Sequence, residues 1–123
     1  MTKTIIFSTL LLLGFSTTSA MANNTQLIEL ASKQESISKT ITKNYKQNPS
    51  STLKLLNQLE SGHNTLKSTV HTAELSNLLT YLHICVKDLK QIMKQPYNSQ
   101  NARLVADLSA SLTEGNHYIA QAL

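Results

Sequence analysis

Apolar side chains recur along this chain at helical spacing, three or four residues apart, in four successive stretches. The first stripe is Leu27, Leu30, Ile37, Ile41 and Tyr45, and the second is Leu56, Leu59, His63, Leu66 and Val70. The third is Leu75, Leu78, Leu82, Cys85, Leu89 and Ile92, and the fourth is Val105, Leu108, Leu112, Gly115, Ile119 and Ala122. No stretch shows the two-residue alternation of a strand. Helix punctuation separates the stripes. Asn48 can cap and Pro49 can take the first helical position. Thr72 is a second cap, with Glu74 in the first turn behind it. Pro96 ends the third stripe, and the fourth opens near Asn98 or Ser99. The pattern predicts four helices of roughly 20–24 residues, each about 30–36 Å long. Their short connections force antiparallel neighbours. The expected fold is all-α, an up-down-up-down four-helix bundle.

The first stripe is interrupted. Gln34 lies on it, and Ser32 and Ser38 lie close beside it. A helix with a core to bury gains nothing from an amide and hydroxyls on its buried edge, so the first helix calls for a reason beyond packing.

Ahead of the stripes, residues 1–22 read MTKTIIFSTLLLLGFSTTSAMA. One Lys, an apolar run from Ile5 to Phe15 and the A-x-A of Ala20-Met21-Ala22 form the pattern of a secretory signal peptide. The run is shorter than the roughly 20 apolar residues that span a bilayer, and no Cys follows it to carry a lipid. The expectation is a periplasmic or secreted chain, residues 23–123, folded as one domain with no membrane span. The whole sequence has eleven Lys and Arg against seven Asp and Glu, and the part after Lys3 has a net charge of +3. The lysines are dispersed, which argues against nucleic acid as a partner. The one cysteine, Cys85, excludes an internal disulfide. Its place on the third stripe makes it a small buried hydrophobe, with intermolecular pairing as the alternative.

Enzyme signatures are missing: the sequence holds no G-x-G-x-x-G, Walker loop, H-E-x-x-H or G-x-S-x-G. His83 and Cys85 are two residues apart and do not face each other on a helix. The histidines His63, His71, His83 and His117 share no three- or four-residue spacing, so they read as surface or seam residues and not as metal ligands. The covalent haem motif C-x-x-C-H is absent. The seven carboxylates are scattered, as on solvated helix faces. The chain is expected to be non-catalytic, with no cofactor and no metal.

The stretch LIELASKQESISKTITKNY, residues 27–45, resembles the signature helix of the PilJ-type domain, whose members have the sense INLAGRQRMLSQRIAKAY. The matches are Leu30, Ala31, Gln34, Ser38, Ile41, Lys43 and Tyr45, with Lys33 in place of an Arg. The segment LLNQLESGHNTL is similar to the family's F-E-x-x-L-x-x-L run, with Leu59 and Glu60 at the F-E pair and His63 and Leu66 at the two Leu positions. PilJ-type domains form the extracytoplasmic part of type IV pilus chemotaxis transducers and are akin to the sensing domain of nitrate/nitrite sensor kinases.

The resemblance implies a sensory domain. It implies a homodimer through the first helix, and a ligand or partner site there built from Lys33, Gln34, Glu35 and Ser38. In the nitrate-sensing relatives an Arg from each copy grips the anion. Here that position holds Glu35, and a later Arg position holds Thr40, so nitrate binding is not expected to carry over. The functional expectation is a stand-alone, non-catalytic module that binds a small solute or a receptor protein. The alternatives are a ligand-free accessory protein docking on a receptor or pilus component, and a metal- or haem-binding bundle.

Overall fold

The computed structural model describes residues 24–123, and the expected signal peptide lies outside the described residues. Four α-helices follow one another: α1 (Asn24–Gln47), α2 (Pro49–Thr69), α3 (Ala73–Met93) and α4 (Ser99–Ala122). They pack in a ring in which α1 touches α2 and α4, and α3 touches α2 and α4. This is the four-helix bundle expected from the stripes. Among the described residues no helix is long and apolar enough to cross a membrane.

The caps fall where the sequence put them. The side chains of Asn48, Thr72 and Asn98 accept from the backbone N–H of Ser51, Leu75 and Asn101, satisfying one orphan donor at each helix start. Pro49 occupies the first turn of α2. Asn44 ties the α1–α2 turn, its Oδ1 accepting from the hydroxyls of Ser51 at 2.8 Å and Thr52 at 2.7 Å. At that end of the bundle the ring of Tyr45 packs against Tyr97, 5.1 Å between centroids.

The core joins the apolar side chains of all four helices, from Leu27 and Ile41 through Leu56, Leu59, Leu66, Leu79, Leu82 and Leu89 to Leu112 and Ile119. Fully burying one such leucine contributes about 1.5–3 kcal/mol.

The buried arcs are displaced from the expected stripes, most in α1 and α4. In α1 the buried line is Leu27, Ala31, Gln34, Ser38, Ile41 and Tyr45, while Leu30 and Ile37 are only half-buried flanks. In α4 the buried set includes Asn101, Ser109 and Asn116, Leu108 is half-buried, and Ala122 is exposed. In α3, Leu79 is buried and Leu78 half-buried. The cause lies at the α1–α4 contact, the most extensive in the bundle. The small side chains Ser38 and Ser109 meet there, and Leu30, Ile37 and Leu108 are left half-buried beside it, while Ile41, Leu112 and Ile119 stay fully buried.

Two glycines inside helices mark close approaches. Glycine costs about 1 kcal/mol relative to alanine in a helix interior, and both positions show why it stands there. A Cβ on Gly62 would come within 2.5 Å of the amide of Gln34. A Cβ on Gly115 would come within 2.6 Å of Leu82 Cδ2 and 3.2 Å of its Cγ. Leu82 is fully buried, so it has little room to yield.

Candidate functional site

The four first-helix residues expected to form a site point in different directions. Lys33 is exposed. Gln34 and Ser38 are enclosed by the bundle, 2% and 0% exposed. The Gln34 amide donates to Leu59 O at 2.8 Å, and Ser38 Oγ donates to Gln34 O at 2.8 Å. Glu35 sits at the edge, its carboxylate 3.5 Å from Lys39 Nζ and 3.2 Å from His117 Nδ1. Gln34 and Ser38 therefore share one interior network, while Lys33 and Glu35 lie outside it. A groove of about 350 Å3 does run between α1 and α4, but Lys39 and Thr42 of α1 and Ala106, Ser109, Ala110, Thr113 and Glu114 of α4 line it, with none of the four.

The interior network reaches further than the first helix. Ser109 Oγ donates to Ser38 O at 2.5 Å, joining α4 to α1. Across the diagonal of the bundle, His63 Nε2 and Asn116 Oδ1 are 3.0 Å apart, and Asn116 Nδ2 donates to Leu112 O. The Asn116 oxygen can only accept, so His63 carries its proton on Nε2. Its other nitrogen, Nδ1, is buried with no hydrogen-bond partner, as is the Tyr45 hydroxyl. Burial holds His63 below the ordinary histidine pKa and outweighs the opposing hydrogen bond to Asn116. Burial likewise raises the Tyr45 phenol.

Cys85 is free and buried, as its place on the third stripe predicted, and burial pushes its thiol above the ordinary value, away from the reactive thiolate. His71 and His117 are exposed, His83 is half-buried and His63 is buried. Among the described residues no group of three His, Cys, Asp or Glu side chains is placed to hold a metal ion.

The larger of the two grooves along α4 lies between α3 and α4 and shares Glu114 with the α1–α4 groove. It is a groove of about 430 Å3 lined by Glu74, Leu78 and Tyr81 from α3 and by Ser111, Glu114, Gly115 and Tyr118 from α4. The α3 residues are spaced four and then three apart. The α4 residues follow at three, four and seven from Ser111. Each set thus occupies one helix face. Tyr118 Oη donates to Glu74 Oε2 at 2.8 Å and fixes the antiparallel register at one end. That carboxylate holds the Tyr118 phenol above its ordinary pKa, so the hydroxyl stays protonated. The floor is Leu78 with Gly115, where a missing side chain lets α4 approach α3 closely.

The opposite flank of α3 has the reverse charge. There Leu53 of α2 and Lys87, Lys90, Gln91, Met93 and Lys94 line a smaller hollow of about 280 Å3. Lys90 is held by Glu60 at 2.6 Å, and this hydrogen bond lowers the Glu60 pKa.

Sequence reasoning placed Leu78 and Gly115 on apolar stripes and passed over the other groove residues. Glu74 was read only as a first-turn acid and Glu114 as a solvated carboxylate. The signal was a line of polar and aromatic residues flanking the stripe, Glu74 and Tyr81 beside Leu78 in α3 and Ser111, Glu114 and Tyr118 beside Gly115 in α4. In comparisons with known proteins, the chain matches no family model, no curated protein and no solved structure.

Proposed function

We propose that the chain is an exported, non-catalytic binding module of the PilJ-type sensory kind, and that it takes a small solute in the groove between α3 and α4. The observation that carries this reading is the groove. Its volume of about 430 Å3 lies within the roughly 300–1,000 Å3 of small-molecule sites. It combines an apolar floor, two aromatic side chains and a few polar groups. The first helix supports the family reading through its signature residues. Its polar side chains Gln34 and Ser38 are already committed to partners inside the bundle, so a solute meets the protein elsewhere. Glu35 stands where the nitrate-sensing relatives have an Arg, paired with Lys39 and His117. Nitrate is therefore not the solute. Occupancy of the groove would be read by a receptor protein.

The test is a panel of small cationic, neutral and anionic solutes, followed by thermal unfolding and by amide chemical shifts of the mature chain. A solute at ~100 times its dissociation constant stabilises by about 2.7 kcal/mol, a rise of several degrees in Tm for a domain this size. The expected result is stabilisation by at least one solute, with shifts centred on Tyr81 and Tyr118, and no response to nitrate. A panel without any binder, combined with co-purification on a membrane receptor, would replace this reading with the accessory-protein alternative.

A further inference from the structure

We infer that the α3–α4 groove recognises an organic cation, an alkyl or quaternary ammonium group seated between Tyr81 and Tyr118 and facing Glu74 and Glu114. This rests on the groove being the solute site, and it assigns the chemical class of the solute.

Charge makes the first part of the case. The sequence is basic, with a net charge of +4, yet the groove is lined by two carboxylates and by no Lys, Arg or His. A cation entering it meets two carboxylates and no positive side chain in the lining. The aromatic lining makes the second. Tyr81 and Tyr118 are 50% and 45% exposed, so part of each side chain is open to a ligand without unfolding anything. An aromatic face attracts ammonium groups through its quadrupole. Tyr118 is better prepared than a free tyrosine. Its hydroxyl donates to Glu74, which fixes the side chain in place and shifts electron density toward the ring. The Glu74 oxygen that does not accept this bond remains available to the ligand. The apolar floor of Leu78 and Gly115 suits the methyl or methylene groups of an organic cation better than a hydrated metal ion. The lysine-lined hollow on the opposite flank of α3 serves as an internal control, since the same cation is repelled there.

The experiment titrates the mature chain with choline and, in parallel, with 3,3-dimethylbutan-1-ol, which has the same shape without the charge. Chemical shifts locate the site and calorimetry gives the affinity. Choline is expected to perturb residues around Tyr81, Ser111 and Tyr118. The neutral alcohol should bind at least about tenfold more weakly, and Tyr81→Leu or Tyr118→Leu should weaken choline about five- to tenfold. Glu114→Gln, a change on an exposed side chain, should weaken it while leaving Tm unchanged. If the alcohol binds in the groove as well as choline does, the cation assignment is wrong and the groove still stands as a solute site. If choline fails to bind, or perturbs residues outside the groove, the assignment is also wrong. Failure of every solute at the groove removes both readings.

Discussion

Where α1 meets α4, the buried side chains include the small Ala31, Ser38 and Ser109, and the Ser109 hydroxyl donates to the Ser38 carbonyl. Where α2 meets α3, the helices bring Leu56, Leu59 and Leu66 toward Leu75, Leu79, Leu82 and Leu89. The first region mixes small and polar side chains with apolar ones and brings its helices into the more extensive contact. The second is large and apolar. The difference separates two tasks that a uniform leucine core would merge. Leucine burial supplies most of the stability, because the hydrophobic term scales with apolar area. Hydrogen bonds add little net energy, but an unpaired buried polar group is costly, so a misaligned α1–α4 pairing is penalised.

Removing a leucine should have the largest effect. Leu82→Ala deletes a fully buried side chain that packs against Gly115. It is expected to destabilise by about 2–5 kcal/mol in urea unfolding. A loss below 1 kcal/mol would mean that the leucine region is not where stability resides.

Acid should give the next effect, through the polar interior. The His63 pKa is depressed in the folded state, so the unfolded chain binds the extra proton first. The contribution of neutral His63 is fully present above about pH 6.5, the unfolded value, and declines as pH falls toward the folded value. The slope in that window reaches at most about 1.4 kcal/mol per pH unit. Half-buried His83 lies near enough to oppose a second positive charge. Midpoints of urea unfolding at pH 7.5, 6.5 and 5.5 should therefore fall with acidification, and His63→Gln should flatten the dependence. An acid response unchanged in His63→Gln would place it elsewhere.

The smallest effect belongs to a single bond of the α1–α4 seam. Ser109→Ala removes the donor to Ser38 O. That carbonyl is still within a helix, so the expected cost is about 1 kcal/mol. The comparison predicts that this variant lowers the urea midpoint slightly and leaves the cooperativity of unfolding intact. A cost equal to that of Leu82→Ala would erase the distinction between the two regions.

Much of this fold was legible in the sequence because its signals are local. Asn48, Thr72, Asn98 and Pro49 each act within one turn of their own position, and all four mark helix starts in the structure. The seam was less legible. Hydrophobicity ranks Leu30 and Ile37 above Ala31 and Ser38, but close helix approach selects for size, and size matters only once the facing helix is known. Gln34 looked out of place on a buried edge because its partner, Leu59 O, is on another helix. The groove was hidden for a similar reason. Tyr81 and Tyr118 are 37 positions apart in the chain and line one groove only through the packing of α3 on α4.

The contact between Gly62 and Gln34 also shapes how such a sequence can change over time. With the amide of Gln34 resting where a Cβ would project from position 62, any residue replacing the glycine must first push the amide off Leu59 O. Once position 34 carries a shorter side chain, the same replacement is free of that obstacle and gains the helix propensity of a non-glycine residue. Each single step has a cost: shortening position 34 removes a buried side chain and its bond to Leu59 O, and filling position 62 displaces that same amide. Two residues 28 apart in the sequence are in this sense coupled, and a change at one alters what the other can become.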